Sequence, residues 1–302
     1  MPEYLPPRER RFSLEYRNVL RYIRDYGIRT PAKQGGYALA SMALTMRFPA
    51  EHGLPVITER DMTKIFPMAI GELCAMINGA RTLDEFEEFG CPWWGPWATE
   101  DKCLSRGLTP GDLGPGSYGH SFRHFTTSDD PTEEGFDQFP HFIKKLRDLP
   151  DDKTAFVSPW IPVFNHREDG VKSRNTIAPC HGWVHAVVID GGLYVEHWQR
   201  SSDTPIGLPS NLAQYAALAL MIEHLTGYPL VEFIHILSYA HIFENQLDAV
   251  GQMLSREPRR LPTLELSDEG KNVTDIHDFR KEHFVLQDYD PHPAIPGIPV
   301  SV

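Results

Sequence analysis

Four cysteines are the candidate nucleophiles of this 302-residue chain, and Cys180 differs from the other three in the sequence that surrounds it. It follows Pro179 and precedes two apolar, β-rich segments around a turn signal at 190–192, which predicts a hairpin. If Cys180 begins one arm, Arg200 near the end of the other arm lies across the ladder from it. An arginine beside a thiol lowers the thiol pKa, so the pattern predicts an activated cysteine. Because neighbouring strand residues point to opposite faces, His181 is not placed to act as its base.

A zinc site is the competing interpretation of the other cysteines. Cys91 and Cys103 could join His120 or His124, but these spacings match no closed tetrahedral pattern. The base rate for a cysteine of this kind favours an inert, buried thiol. We therefore predict that the chain binds no metal.

The elements that must position Cys180 and Arg200 mix helices and strands. Apolar residues at helical spacing predict helices at 12–26, 63–78, 137–148 and 212–226, and β-rich patterns predict strands at 41–48, 154–164 and 231–243 besides the hairpin at 183–200. The strands do not alternate regularly with helices, so a doubly wound parallel sheet is not predicted. No repeat or linker indicates a boundary. We expect one α+β domain over residues 1–302, with helices packed on a mixed β-sheet.

Composition and charge narrow the class of protein. The chain has 29 Lys and Arg against 41 Asp and Glu, a net charge of −12, which argues against binding a nucleic-acid polymer through its phosphates. Hydrophobic residues make up 41% and charged residues 23%, values typical of a folded globular protein. No apolar run is long enough to cross a membrane, and the N-terminus lacks an apolar signal core. We therefore expect a cytoplasmic protein.

The segment 178–227 resembles the catalytic half of the thymidylate synthase family, which also includes nucleotide hydroxymethylases. The shared motifs are Pro179-Cys180-His181, Gln199-Arg200-Ser201-Ser202-Asp203, Gly207-Leu208-Pro209-Ser210-Asn211 and Asn211-Leu212-Ala213-Gln214-Tyr215. Further matches are spread along the chain in the family's order: Arg29-Thr30, Ile57-Thr58-Glu59-Arg60, Gly71-Glu72-Leu73, Trp94 and Trp97, Leu113-Gly114-Pro115, Tyr118-Gly119, Ser255-Arg256-Glu257-Pro258 and Tyr289-Asp290-Pro291-His292-Pro293.

The resemblance implies a thymidylate synthase-like fold and one-carbon transfer from 5,10-methylenetetrahydrofolate, as cosubstrate, to C5 of a pyrimidine nucleoside 5′-monophosphate. C5 is a poor nucleophile until a thiolate adds to C6, which is why such chemistry needs a cysteine. By resemblance the catalytic residues are Cys180 as nucleophile, Glu72 as general acid/base, Arg200 at the thiol and the phosphate, and Asn211 at the base edge. The implied nucleotide-binding residues are Arg29, Lys153, Gln199, Arg200, Ser201, Ser202, Asp203, Asn211 and His241, and the implied folate-binding residues are Trp94, Trp97, Asp203 and Gly207.

Several of these residues also have ordinary structural interpretations. Glu72 alone could be a solvated helix carboxylate, although Ile70 and Leu73 beside it indicate burial that would raise its pKa. Asn211 alone could be a helix N-cap. His241 alone could be an ordinary strand histidine. The family places asparagine at position 211 for uracil and aspartate for cytosine, which favours uracil here, but an amide that flips also fits cytosine.

The match breaks at the residues that would hold sugar and phosphate. Tyr239 replaces an aspartate and Phe243 replaces a ribose-binding tyrosine, and phenylalanine has no hydroxyl to donate. The family is a homodimer that sends two arginines to the partner's phosphate, and these fall at Lys153 and Thr154. The first hypothesis for the reaction is thymidylate synthase-type methylation of dUMP or a related nucleotide. The alternative is hydroxymethylation of dUMP, CMP or dCMP. A catalytically inactive nucleotide-binding homologue is the third possibility.

Overall fold

A computed structural model describes residues 2–33, 35–128, 133–168 and 170–300. Within these ranges the helices are α1 Glu15–Tyr26, α2 Phe66–Ile77, α3 Leu83–Glu88, α4 Glu100–Leu104, α5 Tyr118–Arg123, α6 Gln138–Asp148, α7 Pro162–Asn165, α8 Gly207–Thr226 and α9 Leu247–Ser255. The strands are β1 Ile28–Pro31, β2 Tyr37–Pro49, β3 Phe156–Val157, β4 Trp183–Ile189, β5 Gly192–Asp203, β6 Leu230–Phe243, β7 Thr263–Leu266 and β8 Phe284–Gln287.

The main sheet is mixed and has the strand order β1-β2-β6-β5-β4-β3. β5 and β6 pair in parallel and their neighbours pair antiparallel, while β7 and β8 form a separate two-stranded sheet. The parallel pair needs a crossover, and α8 supplies it. Asp190 and Gly191 both have positive φ, 50° and 76°, the backbone of a type I′ hairpin turn between β4 and β5. The predicted α+β class with a mixed sheet and packed helices is confirmed.

Alternation along the central strands gives the sheet two unlike faces. On β5 the side chains of Leu193, Val195, His197 and Gln199 are buried, whereas the residues between them are partly exposed. The buried face packs against α8, whose residues from Asn211 to Glu223 are all buried. Because α8 is buried on every side over this stretch, it forms the centre of the core rather than a surface helix. Buried polar residues of β5 therefore point toward α8.

Several elements depart from the predictions. The predicted strand over 154–164 is wrong apart from Phe156–Val157, because Pro159 and Pro162 lack the N–H that a ladder needs and Pro162 begins α7 instead. The helix predicted from position 212 begins earlier, at Gly207, since Pro209 is compatible with a first helical turn, where N–H groups have no intrahelical acceptor. The pairs β1–β2 and β7–β8 were not predicted. No helix among the described residues is long and apolar enough to cross a membrane.

Candidate active site

Cys180 and Arg200 meet as the hairpin predicts. The backbone carbonyl of Cys180 accepts a hydrogen bond from the Arg200 N–H at 2.8 Å, and a guanidinium nitrogen of Arg200 lies 3.5 Å from the Cys180 sulfur. Arg200 also donates to the carbonyls of Pro179 and Ala178, which fixes its guanidinium against the cysteine loop. The hydroxyl of Tyr118 accepts from the Cys180 N–H at 2.7 Å. The thiol thus lies between a cation and a phenol.

The electrostatics of Cys180 combine opposing effects. The residue keeps partial exposure, yet the protein packed around its sulfur raises the thiol pKa above the ordinary value. Arg200 and the Tyr118 hydroxyl both lower it, so burial outweighs the effect predicted for the arginine. Cys74, Cys91 and Cys103 are buried, and burial raises the pKa of Cys74 to about 12. Cys180 alone combines a nearby cation with access to solvent.

Cys180 and His181 lie in the loop before β4, so the strand alternation that was expected to separate them does not apply, and His181 is held instead by Tyr215 and Tyr118. Its Nδ1 lies 2.7 Å from the Tyr215 hydroxyl, and its ring stacks on Tyr118 with centroids 4.5 Å apart. Burial lowers its pKa to about 3, so the ring is neutral. The next residue, Gly182, has φ +107°, and a Cβ there would lie 2.9 Å from the Phe122 ring. Only glycine suits this approach, which lets the Gly182 N–H donate to His197 Nε2 at 2.9 Å.

Glu72 lies on α2 with its carboxylate buried rather than solvated. Trp93 donates its indole N–H to Oε1 at 2.7 Å, and the side-chain amide of Gln214 donates to Oε2. Burial raises the pKa of Glu72 to about 7, although these two hydrogen bonds oppose the shift. A carboxyl group that titrates near neutral pH can both take up and release a proton, as general acid/base work requires.

Asn211 lies on α8 one turn after the helix begins, so it is not the N-cap. Its Oδ1 accepts from Gln199 Nε2 at 2.9 Å, and its Nδ2 donates to Gln214 Oε1 at 2.9 Å. The side chain is buried, with a relative exposure of 6%. Through Gln214, the amide predicted to read the base is connected to Glu72.

The end of β5 carries Ser201, Ser202 and Asp203 next to β6. Asp203 is paired in register with His241, and its carboxylate accepts from the Gln246 side-chain amide and the Ile206 N–H. Burial raises the pKa of Asp203 to about 6. Ser202 Oγ and His241 Nδ1 are buried without a hydrogen-bond partner among the described residues. Such polar atoms are costly unless a ligand or water binds them.

The two residues near His241 that differ from the family pattern, Tyr239 and Phe243, both place aromatic rings beside it. The Phe243 ring lies 4.8 Å and the Tyr239 ring 5.5 Å from the His241 ring, centroid to centroid, and Phe243 is buried. Burial lowers the pKa of His241 to about 4, so it is neutral. A neutral imidazole with a free Nδ1 still offers a hydrogen bond to a sugar hydroxyl.

Two of the residues predicted to bind folate, Trp94 and Trp97, form part of one aromatic wall. Trp94 is buried, with ring centroids 5.9 Å from Trp97 and 6.0 Å from Tyr118. Gly207, also predicted to bind folate, begins α8 four residues before Asn211. Because the Trp94 ring also contacts Tyr118, the aromatic wall extends to the Cys180 loop, where the Tyr118 hydroxyl accepts from the Cys180 N–H.

Two residues predicted to bind phosphate lie outside this cluster. The Arg29 guanidinium on β1 forms an ion pair with Glu244 at 2.6 Å and stacks 3.4 Å from the Tyr37 ring centroid. Lys153 is exposed, and its backbone carbonyl binds His185 Nε2 at 2.9 Å. The structure does not bring either of them to Cys180.

The residues that surround Glu72 and Asn211 are not predicted from the sequence. Trp93 precedes a matched tryptophan and Gln214 lies inside a matched motif, but no role is predicted for either, nor for Tyr118. The doublet Trp93-Trp94, which follows an acidic helix, is the sequence signal that could have indicated a role for Trp93. As to the zinc hypothesis, the described part of the chain holds no group of three or more His, Cys, Asp or Glu side chains suited to a metal ion.

Comparison with known families bears directly on this arrangement. The family model described as Thymidylate synthase matches residues 14–302, nearly the whole chain. The match covers every residue of the cluster from Glu72 to His241. The chain belongs to the thymidylate synthase family, whose members carry out folate-dependent one-carbon transfer to C5 of pyrimidine nucleotides.

Proposed function

We propose that this protein methylates C5 of dUMP or a related pyrimidine nucleoside 5′-monophosphate through a covalent adduct of Cys180. The observation that carries the proposal is the Cys180 sulfur 3.5 Å from Arg200, in a loop that also contacts Tyr118. A cation at this distance stabilises the thiolate at the moment of attack, although burial raises the resting pKa.

The chemistry follows from these groups. The thiolate adds to C6, and the electron pair of the C5–C6 bond moves toward the oxygen at position 4, so that C5 becomes nucleophilic. C5 then bonds to the one-carbon unit and loses its proton, and the bond from that carbon to the folate nitrogen breaks to leave an exocyclic methylene on C5. Hydride from the folate, which leaves as dihydrofolate, adds to the methylene to give the methyl group as the thiolate is expelled and the ring is restored. Glu72, with a pKa of about 7, takes up and returns protons on this side of the ring.

The residues present suit a folate cosubstrate. Asp203 offers a half-buried carboxylate with a pKa of about 6, matched to the pterin ring by the family resemblance, and Trp94 offers an aromatic surface. Methylenetetrahydrofolate supplies the one-carbon unit and, in methylation, the hydride. Ser202 Oγ and His241 Nδ1, both buried and unpartnered among the described residues, are proposed to bind the nucleotide.

Hydroxymethylation is the second candidate, and the sugar end favours it. Phe243 and Tyr239 alter the site next to His241, which fits an enzyme specialised for another nucleotide. The two reactions differ after carbon transfer, because methylation takes hydride and hydroxymethylation takes water. Burial of Trp94 favours a site from which water is excluded, as hydride transfer requires, and methylation is therefore the first candidate. An inactive homologue is disfavoured because Cys180, Arg200, Glu72, Asp203 and Asn211 are all kept.

A product assay tests the proposal. The protein is incubated with methylenetetrahydrofolate and UMP, dUMP, CMP or dCMP, and product masses are read. Dihydrofolate with a methylated nucleotide supports the proposal, and tetrahydrofolate with a hydroxymethylated nucleotide supports the second candidate. No one-carbon transfer to any of the four contradicts both and favours the inactive homologue.

The proposal includes a homodimer formed through the open face of the sheet. This face carries half-exposed apolar side chains on its central strands: Trp183, Tyr194, Trp198, Ile234 and Ile236. A contiguous apolar surface on a sheet is typical of an interface. In the proposed dimer, Lys153 reaches the nucleotide phosphate of the other subunit.

Sedimentation at micromolar concentration measures the assembly. We expect a dimer for the wild type and a monomer for Trp198→Glu. Tyr26→Glu is the matched control, because Tyr26 is exposed on α1 and away from the open sheet face. A fully active wild-type monomer would contradict the dimer.

A further inference from the structure

A buried chain of hydrogen bonds runs from the cysteine loop to Glu72. In order, its donors and acceptors are the Gly182 N–H and the side chains of His197, His235, Gln199, Asn211, Gln214 and Glu72. His197, His235, Gln199 and Gln214 are at most 1% exposed. We call this set the buried relay.

Backbone groups fix the direction of the relay near Glu72. Gln214 Nε2 donates to the Ala69 carbonyl at 3.0 Å as well as to Glu72. A carbonyl can only accept, so the nitrogen of Gln214 must be on that side. Its Oε1 therefore faces Asn211 and accepts from it.

The other half of the relay is fixed in the same way. Gln199 Nε2 donates to the Ser201 carbonyl at 3.0 Å, so this nitrogen also faces Asn211, and Gln199 Oε1 accepts from His235 Nε2. His235 is neutral, because burial lowers its pKa to about 3, so its Nδ1 accepts from His197 Nδ1 at 3.3 Å. The Gly182 N–H completes the order by donating to His197 Nε2.

These fixed neighbours leave Asn211 one orientation. If its amide flipped, Nδ2 would face the donor of Gln199 and Oδ1 would face the acceptor of Gln214. Turning the glutamines to match would set their carbonyls against those of Ser201 and Ala69. In the observed orientation Asn211 keeps one Nδ2 hydrogen and one Oδ1 lone pair for a ligand.

We propose that Gln214 is a positioning residue that holds the Asn211 amide in the orientation that accepts uracil and rejects cytosine. The inference rests on the proposed function, in which C6 of the ring lies at Cys180 and position 4 lies on the Glu72 side. Nδ2 of Asn211 is on that side, because it bonds to Gln214, and Oδ1 is on the Gln199 side. Uracil meets them with O4 and N3–H. Cytosine sets an amino group against Nδ2 and an unprotonated N3 against Oδ1.

Calorimetric binding without folate tests the role of Gln214. We expect wild-type protein to bind UMP and dUMP about 10- to 100-fold more tightly than the cytosine nucleotide with the same sugar. Gln214→Met removes all three hydrogen bonds of this side chain, to Asn211, the Ala69 carbonyl and Glu72, at similar size and frees Asn211 to flip. The uracil-to-cytosine ratio should then fall to within about threefold.

Other variants separate positioning from folding. Gln199→Met frees the opposite side of Asn211 and should likewise lower the uracil preference. Gln138→Met is the matched control, since Gln138 is a buried glutamine bonded to the Ser121 and Ser158 carbonyls. It should leave the ratio unchanged. Thermal melting confirms folding of each variant.

The outcomes for the inference and for the proposed function are distinct. A wild type that prefers cytosine nucleotides, or an unchanged ratio in folded Gln214→Met and Gln199→Met, overturns the positioning role even if one-carbon transfer occurs. Selective, Gln214-dependent binding of uracil nucleotides with no one-carbon transfer supports the positioning role and contradicts the proposed function. A wild type that binds no pyrimidine nucleotide overturns both.

Discussion

The two ends of the candidate site are built differently. At the base end, Glu72, Asn211, Gln199 and Gln214 bond to one another and to backbone carbonyls. At the sugar and phosphate end, His241 Nδ1 is unpartnered in the described chain, and Arg29 is paired with Glu244, away from the thiol. Side chains that are hydrogen-bonded to one another lose their conformational entropy when the protein folds, so ligand binding need not order them. Side chains without a partner are ordered only when a ligand binds. The base end should therefore be the more selective of the two.

Removing the proposed nucleophile should have the largest effect, because in the proposed mechanism both ends position the nucleotide for the bond made by Cys180. We expect Cys180→Ala to lower turnover by at least about 10⁴-fold with the fold preserved. Turnover is measured by product mass and the fold by thermal melting. Cys103→Ala, which changes a buried thiol bonded to the Asp112 carbonyl, is the control and should stay active. Near wild-type turnover in Cys180→Ala would refute the covalent mechanism.

The second prediction concerns the base end alone. Glu72→Gln keeps the size of the side chain but cannot exchange a proton, so turnover should fall by about 10²- to 10⁴-fold. Nucleotide binding should change far less. If binding and turnover fall together by the same factor, Glu72 serves the structure of the pocket and not proton transfer.

The same variant should be more stable than wild type above neutral pH. The pKa of Glu72 is about 7 when folded and 4.5 ordinarily, so the folded protein holds a proton more tightly than the unfolded chain. Ionisation of the carboxyl therefore does not destabilise the folded protein below pH 4.5, and above about pH 7 it destabilises it by the full penalty, on the order of 3 kcal/mol. Urea unfolding at pH 4.5 and pH 8 measures this: Glu72→Gln should match wild type at the lower pH and exceed it at the higher. Exposed Glu88→Gln should show no such difference.

At the phosphate end we expect an intermediate effect. Lys153→Ala should weaken nucleotide binding by about 10- to 150-fold, because a charge-assisted phosphate contact is lost. Lys144→Ala, which removes an exposed lysine paired with Asp148 on α6, is the control. Equal losses in the two variants would mean that general charge, and not a phosphate contact across the dimer, explains the effect.

The smallest effect is expected at the sugar. Phe243→Tyr adds a hydroxyl beside His241, which should shift the ratio of ribo- to deoxyribonucleotide turnover by about 2- to 10-fold, the value of one neutral hydrogen bond. Competition between UMP and dUMP in one reaction measures this ratio. If the ratio does not move, residue 243 does not reach the sugar and the two ends differ less than we infer.

Sequence patterns predict the parts of this molecule that depend on local geometry. The hairpin signal around Asp190-Gly191 brought Cys180 and Arg200 together, and the apolar neighbours of Glu72 indicated its burial. Both follow from periodicity and turn chemistry.

What the sequence did not predict depends on contacts between distant segments. Gln214 and Trp93 are separated from Glu72 by 142 and 21 residues, and no local pattern marks them as its partners. The start of α8 was placed too late because Pro209 and Gly207 indicate a turn, although both are compatible with a first helical turn. The sequence therefore predicts the site residues that lie in family motifs, but it does not predict the residues, such as Gln214 and Trp93, that hydrogen-bond to them.

The hydrogen bond from Gln214 to the Ala69 carbonyl also constrains the evolutionary history of position 211. An Asn211→Asp change would set a carboxylate oxygen against Gln214 Oε1, and Gln214 cannot turn away without opposing its own carbonyl to that of Ala69. The change is therefore deleterious in the present background and tolerable only after position 214 has changed. If Asn211 selects the base as proposed, this main-chain carbonyl on α2 requires position 214 to change before position 211 can favour the other pyrimidine.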